Sequence, residues 1–220
     1  MKTKFLKKIG MNIFTSIKVS NLSQEILDIF KAQKIPYSLE DTLCILANGG
    51  KKFWEQLPHP LDKAMNPIDQ FSLKQIVKID RNAQILFPHS KWNIPLQKIG
   101  RLLNISRPSL LGIDINQNFG LWFAFRGAYF TKEIIDETKY QSFESPCNSC
   151  LEKPCQKACP ASAISTCAES FILRRCLEYQ TLTQSSCSDR CLARLSCPYQ
   201  NQHQYTIEQI RYHQAKQLFL

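Results

Sequence analysis

The cysteines constrain this chain more than any other feature, because nine of its ten lie in one stretch between Cys147 and Cys197. Residues 1–140 contain only Cys44. The two parts of the chain therefore obey different chemical constraints. A chain of 220 residues is long enough for a medium-sized domain and a small module. We predict one domain over residues 1–140 and a second over residues 141–220.

Export and membrane association are not indicated. Ten cysteines would form disulfides only in an oxidising compartment, which requires an export signal. Residues 1–8 are basic, but polar residues interrupt the segment that follows and no small-residue cleavage site is present. No run of about 18 apolar residues would span a membrane. The sequence thus predicts a cytoplasmic protein whose thiolates are available to bind metal.

The spacing of the cysteines is typical of iron–sulfur ligands. A first group is nearly the bacterial ferredoxin run, in which three thiolates bind one [4Fe-4S] cluster and the fourth binds a second cluster. A second group, like the first, ends in Cys-Pro. We predict two complete ligand sets: Cys147, Cys150, Cys155 and Cys197 for the first cluster, and Cys159, Cys176, Cys187 and Cys191 for the second.

Some alternatives remain open at this point. Zinc also binds four thiolates, although its usual signature is a pair of separated Cys-x2-Cys knuckles. Cys167 is an alternative to Cys176 as the fourth ligand. Cys176 follows Arg174 and Arg175 on a predicted helix, and two neighbouring cations would favour its thiolate form. Cys44 lies in a predicted buried strand, where a free cysteine behaves as a small hydrophobe.

Hydrophobic periodicity predicts a mixed α+β fold for the first domain. The predicted helices cover residues 21–30 and 96–103, and the predicted strands cover residues 42–47, 85–88 and 119–130. A further helix should begin with Asn66 as N-cap and Pro67 at its first position. Gly120 and Gly127 mark irregular points in the last strand. After the cysteines, Thr206 should cap a closing helix that extends through residues 210 and 218.

A first family resemblance lies in the cysteine-rich part. The segment Arg174-Arg175-Cys176-Leu177-Glu178-Tyr179, with the flanking Cys-Pro groups, resembles the iron–sulfur half of epoxyqueuosine reductase, a cobalamin-dependent tRNA-modifying enzyme. This resemblance covers approximately residues 145–198. The central Gly-x-Gly-Lys-Asn/His segment of that reductase has no counterpart in residues 96–102. This resemblance implies, as an alternative function, a reductase that acts on tRNA.

A second resemblance lies in the N-terminal part. Phe119-Gly120-Leu121-Trp122-Phe123-Ala124-Phe125-Arg126-Gly127 is similar to Phe-Gly-Gly-Trp-Phe-Ala-Ile-Arg-Gly of the cobalamin-processing (cobalamin C, decyanase) family. Asn66-Pro67-Ile68-Asp69-Gln70 is similar to that family's Asp-Pro-Val-Asp-Gln. The resemblance implies a nitroreductase-like fold that binds cobalamin or flavin, with Arg126, Trp122 and Gly120 as cofactor-binding candidates. The whole chain also resembles bacterial proteins called ferredoxins that join such a region to a cysteine module.

Arg126 is notable from the residues alone, because it is a charge at the end of an apolar aromatic run. An unpaired buried charge costs several kcal/mol, so Arg126 must be paired or face a ligand. One interpretation is a salt bridge with an acid such as Asp69 or Asp114, and the other is an anion or corrinoid contact. The sequence departs from the cobalamin-processing family just before this strand, where Asn116-Gln117 stands in place of that family's His-Pro.

The formal net charge of +10 bears on partners. Two oxidised clusters with their thiolates would add about −4, which still leaves a basic protein. Such a surface would attract an acidic redox partner protein or nucleic acid. We therefore expect a redox protein with two [4Fe-4S] clusters that pass electrons to a corrinoid or flavin in the first domain. The alternatives are a plain ferredoxin-type electron carrier and a tRNA-acting reductase.

Overall fold

A central antiparallel pairing of strands organises the N-terminal part of the chain. The computed structural model describes residues 2–61, 66–133, 135–165 and 171–217. The strands are β1 (Ile13–Lys18), β2 (Thr42–Gly49), β3 (Gln84–Phe87), β4 (Arg107–Pro108), β5 (Asp114–Ile115) and β6 (Phe123–Thr131). The helices are α1 (Lys2–Lys8), α2 (Gln24–Ala32), α3 (Lys52–Glu55), α4 (Pro67–Ile79), α5 (Leu96–Leu102), α6 (Pro146–Ser149), α7 (Pro154–Lys157), α8 (Leu173–Gln180), α9 (Leu192–Leu195) and α10 (Ile207–Gln217).

The main sheet has four strands in the order β1-β2-β6-β3. β1 and β2 are antiparallel, with Ile13 opposite Ala47 and Lys18 opposite Thr42. β3 and β6 are also antiparallel, with Gln84 opposite Phe130. Every residue of β2 is buried, as expected for a strand in the middle of a sheet. The predicted α+β class is confirmed by this mixture of an antiparallel sheet and helices.

The chain divides into two compact units. The first contains residues 1–105 and 124–141, and the second contains residues 106–123 and 142–220. These units differ from the predicted domains of residues 1–140 and 141–220 chiefly in residues 106–123. That segment forms the two-stranded ribbon β4-β5 and supplies apolar side chains to the core of the second unit. A small cysteine-rich module needs this additional apolar surface, because short chains bury little of their own.

The first unit has an aliphatic and aromatic core. Ile26 and Phe30 on the inner face of α2 are completely buried, as is Ile76 of α4. The Phe30 ring meets the Phe130 ring edge-on, with 5.2 Å between centroids. Such an edge-to-face pair adds to the burial of two large rings.

Most of the predicted elements are confirmed within a few residues. α2, α4 and α5 lie where helices were predicted, and β2 and β3 lie where strands were predicted. Asn66 is the N-cap residue of α4, but it has a left-handed backbone (φ 45°) and its side chain makes no capping hydrogen bond. Thr206 does cap α10, since its hydroxyl accepts a hydrogen bond from the Gln209 amide at 3.2 Å. Residue 218 lies outside the described residues.

The strand predicted over residues 119–130 begins four residues late, at Phe123. The Asn116 side chain is the reason, because its Oδ1 accepts hydrogen bonds from the amides of Asn118 and Phe119 and closes a turn. Gly120 completes the turn with φ +58°, a left-handed conformation that favours glycine. Gly127 lies within β6, beside an irregularity in the pairing with β3, where Tyr129 faces Ile85 but Ala128 faces Phe87.

None of the helices formed by the described residues has the length and apolar character that crossing a membrane requires.

Candidate metal centres

Four of the predicted ligands surround one cavity of about 370 Å³ in the second unit. They are Cys147, Cys150, Cys155 and Cys197. Two short helices position the first three of them, and each helix starts with a proline at its first turn, where no amide donor is needed. The Ser145 hydroxyl caps the first of these helices by accepting a hydrogen bond from the Cys147 amide at 3.4 Å. This is the first ligand set predicted from spacing.

The other four predicted ligands surround a second cavity, of about 490 Å³. They are Cys159, Cys176, Cys187 and Cys191. Cys176 lies on α8, whereas Cys187 and Cys191 lie in the loop before α9. The sequence predicted this set also, but the role of all eight cysteines as ligands stays a prediction. Cys167 lies outside the described residues, so its alternative role stays a prediction as well.

The β4-β5 ribbon and the turn after it wall both cavities with apolar side chains. Leu110, Ile115 and Leu121 line the first cavity, and Ile113 lines the second. Leu111 lines both, so the two cavities adjoin at this residue. The sequence alone does not predict this wall, because residues 106–123 precede the cysteines by more than twenty positions. Their apolar residues are a signal, but nothing local connects them to the thiols.

The thiols influence one another within each set. Burial raises the pKa of Cys155, and the nearby Cys147 and Cys150 thiols raise it further. Burial also raises the pKa of Cys176, with Cys159 and Cys187 adding to the effect. Such thiols are poor anions by themselves, and a bound metal cation would supply the positive charge that deprotonates them. The described cysteines are all free thiols rather than disulfides.

The cavities fit a group larger than one ion. Their volumes of about 370 and 490 Å³ compare with roughly 30 Å³ for one water molecule in the liquid. Among the described residues, no three or more His, Cys, Asp or Glu side chains converge to share a single metal ion. The donor set of four thiols per cavity, with apolar walls, is the chemistry that a [4Fe-4S] cluster takes.

The surroundings of Cys176 differ from the prediction that two cations favour its thiolate. Arg174 is highly exposed and pairs with Glu178, and Arg175 donates to the Ser162 carbonyl. Instead, Gln180 donates from Nε2 to the Cys176 sulfur at 3.1 Å and lowers the pKa of this thiol against the larger effect of burial. Helical spacing explains this, because residues four apart lie on the same face of α8.

Arg194 is a further residue of the second cavity that the sequence did not predict. It lies on α9, lines the second cavity, and donates to the Leu121 carbonyl at 2.6 Å. Its guanidinium stacks on the Trp122 ring at 4.5 Å and on the Tyr205 ring at 5.1 Å. Burial lowers the pKa of Arg194, and the Cys191 thiol is among the groups that oppose this effect.

The three predicted cofactor-binding residues are divided between the units. Trp122 is 1% exposed and packs edge-on against Tyr205 in the second unit. Gly120, also in the second unit, lies so close to the Tyr199 carbonyl that a Cβ atom would overlap it. Arg126 belongs to the first unit, where its Nε donates to Asn48 Oδ1 at 2.6 Å. Its guanidinium lies over Phe53, 5.1 Å from the ring centroid. The predicted cofactor contacts, and the predicted ion pair of Arg126, stay predictions.

Solved structures of other proteins share this fold. The structure of epoxyqueuosine reductase from Streptococcus thermophilus matches with a TM-score of 0.51 and 15% identity, over 90% of this chain and 65% of that one. A crystal structure of epoxyqueuosine reductase with an epoxyqueuosine-modified tRNA-Tyr stem loop matches with a TM-score of 0.55 and 11% identity, over 96% and 67%. This chain shares its fold with epoxyqueuosine reductases.

A third match, selenomethionine-labelled epoxyqueuosine reductase, has a TM-score of 0.56 and 9% identity over 96% of this chain and 68% of that one. The chain thus spans about two thirds of the length of these reductases. Because the identities are low, these matches show a common fold and nothing more. No protein-family model and no curated protein matches the sequence. The expected relation to cobalamin-processing and nitroreductase proteins receives no support from these comparisons.

Proposed function

We propose that this chain is an iron–sulfur redox protein whose eight cysteines hold two [4Fe-4S] clusters. The observation that carries the proposal is the division of the predicted ligands between two cavities, four thiols to each. When bound, each cluster supplies a one-electron acceptor and donor. The residues of this chain would hold the thiolates in place and line both cavities with apolar side chains, of which Leu111 is common to the two.

Leu111 lines both cavities, so the two candidate clusters would lie next to each other, which is the arrangement that electron transfer between them needs. A one-electron carrier beside another carrier can accumulate two reducing equivalents in one protein. Apolar walls also lower the local dielectric, which strengthens every electrostatic influence on the reduction potential. The electron acceptor in this proposal is a cobalamin or a flavin, with Arg126 of the first unit as the candidate contact. A plain electron carrier without an acceptor of its own is the simpler version of the same function.

Electron paramagnetic resonance of the anaerobic, dithionite-reduced protein tests the proposal. We expect about two unpaired spins per chain, one for each four-thiol set. Cys155→Ser should remove the first set's signal and Cys187→Ser the second set's, because each set has four ligands and no spare one. Cys44→Ser is the matched control: this thiol is buried in β2 of the first unit, so the variant should keep both signals. A zinc protein would give no signal in any of these samples.

A second candidate function is favoured by the fold comparison. The neighbours are epoxyqueuosine reductases, and one of them is bound to a modified tRNA stem loop. Reduction of an epoxide takes two electrons and two protons, and two clusters supply two electrons. The net charge of +10 suits a polyanionic substrate such as tRNA. We therefore propose reduction of a modified base on tRNA ahead of the plain electron carrier.

A single-turnover assay tests this second candidate. The cluster-loaded protein, reduced with dithionite and supplemented with cobalamin, is mixed with an epoxyqueuosine-containing stem loop. Nucleoside analysis by mass spectrometry should detect the reduced base, and unmodified stem loop serves as the control. Binding that weakens steeply with salt is expected of a basic protein on RNA. If the protein has intact clusters but neither binds nor reduces the stem loop, the tRNA proposal is wrong and the redox proposal remains.

A further inference from the structure

The two candidate cluster sites are unequal in the groups that surround their sulfurs. Gln180 is 5% exposed and donates a hydrogen bond from its side-chain amide to the Cys176 sulfur at 3.1 Å. Among the residues that the structure describes, Gln180 is the only side chain that donates a hydrogen bond to any of the eight sulfurs. The first set therefore has no equivalent of this donor in the described residues.

Backbone donors do not account for the inequality. The amides of Gln156 and Tyr199 donate hydrogen bonds to the Cys155 and Cys197 sulfurs in the first set. In the second set, the Ala163 amide donates to the Cys159 sulfur at 3.4 Å. Backbone amides thus serve both sets, and the difference lies in the side chains.

Charge adds to the same difference. Arg194 lines the second cavity, its Nε is buried, and its guanidinium lies 4.5 Å from the centroid of the Trp122 ring and 5.1 Å from that of the Tyr205 ring. The first cavity has Lys153 in its wall, but this half-buried ammonium points to the Cys150 carbonyl at 3.4 Å. A cation with a buried nitrogen acts through a lower dielectric than a partly solvated ammonium, so at a comparable distance Arg194 has the stronger influence.

We infer that Gln180 and Arg194 give the second cluster, held by Cys159, Cys176, Cys187 and Cys191, the higher reduction potential of the two. The inference rests on the proposed two-cluster function. Reduction adds one electron to a cluster, and both a hydrogen-bond donor at a ligand sulfur and a nearby cation stabilise the added negative charge. An electron delivered to the first cluster would therefore pass favourably to the second.

Gln180 is a positioning residue in this account, because it acts through Cys176 and not on the cluster directly. Its removal should lower the preference of the second cluster for the reduced state about tenfold. A tenfold change in a one-electron equilibrium corresponds to about 59 mV. The first cluster's potential should stay in place, since Gln180 lines the second cavity only.

The test is a redox titration of the anaerobic holoprotein, followed by electron paramagnetic resonance, with Gln180→Leu compared against wild type. Leucine keeps most of the volume and removes an Oε1 that has no hydrogen-bond partner among the described residues, so the fold should tolerate it. Gln180→Glu, which replaces the donor with an acceptor, is a second variant. Gln156→Leu is the matched control, because Gln156 lies beside Cys155 but donates to the Ser165 carbonyl at 2.6 Å.

We expect the higher of the two wild-type potentials to fall in both Gln180 variants and to remain unchanged in Gln156→Leu. If the lower potential falls, or if neither potential moves while both clusters are present, the inference is wrong. Iron and sulfide analysis of the same samples separates this outcome from a failure of the proposed function. Wild-type protein without clusters would overturn the proposed function and the inference together.

Discussion

Replacing Gly120 with alanine would test whether the turn before β6 supports the first candidate cluster site. Gly120 has φ +58° and pairs with Asn116 through two backbone hydrogen bonds of 2.9 Å. A Cβ atom at this position would overlap the carbonyl oxygen of Tyr199, two residues after Cys197. Both partners of this contact are backbone, so neither can rotate away.

The expected cost has two parts. A left-handed conformation costs an alanine about 1–2 kcal/mol. The overlap requires the Tyr199 carbonyl to move by about 1 Å, and overpacking of this kind typically costs about 1–3 kcal/mol. We therefore expect Gly120→Ala to lower the free energy of unfolding of the second unit by about 2–5 kcal/mol. The displaced Tyr199 should also draw Cys197 away from its three partner thiols.

Gly112→Ala is a matched control for the backbone cost. Gly112 also has a positive φ of +70°, but its Cβ would meet the Phe171 side chain at 2.7 Å, and a ring can adjust. Denaturant unfolding at constant m-value gives the stability of both variants, and iron analysis gives the cluster content. We expect Gly120→Ala to lose more stability than Gly112→Ala, together with iron of the first cluster. Equal losses in both variants with full iron content would refute this account of the turn.

Three further predictions concern other parts of the chain. Cys176→Ser should lose about half of the iron, whereas Cys167→Ser should keep it all; iron analysis that gives the reverse result would identify Cys167 as the ligand. Arg126→Ala should lower the free energy of unfolding by about 2–4 kcal/mol, because the buried Asn48 carbonyl loses its donor and Phe53 loses a cation–π contact; unchanged denaturant stability would contradict this. The Glu137 carboxylate accepts hydrogen bonds from the Lys18 amide and the Asn21 side chain, which lower its pKa to about 2. Because this pKa is lower in the folded chain, Glu137→Gln should cost about 0.5–1 kcal/mol at pH 7, and the difference should vanish as the pH falls from about 4.5 to about 2; a difference that persists at pH 2 would exclude this origin.

The grouping of the cysteines followed from spacing because ligand runs are local. Three thiols within nine residues can reach one cavity, and the Cys-Pro turn directs the fourth to another. The helices and strands of the first unit were also predictable, since apolar periodicity and capping residues are local signals. The closing helix after Thr206, which belongs to the second unit, was predictable from the same kind of local signal.

Long-range packing was not predictable in the same way. Residues 106–123 belong to the core of the second unit, although their sequence reads as a continuation of the first. The aromatic run after Asn116 suggested one long strand, but a side-chain hydrogen bond and a left-handed glycine split it. The contact between Gln180 and Cys176 is local on α8, and helical spacing was the signal that would have found it. Arg194 offered no signal, because Trp122 and Tyr205 approach it only in the folded chain.

Iron and acid-labile sulfide analysis of anaerobically purified protein tests the central claim most directly. Two cavities lined by four thiols each predict about eight iron and eight sulfide per chain. The same sample should be brown, with absorption that bleaches when dithionite is added. Protein that contains zinc and no sulfide would contradict the two-cluster account.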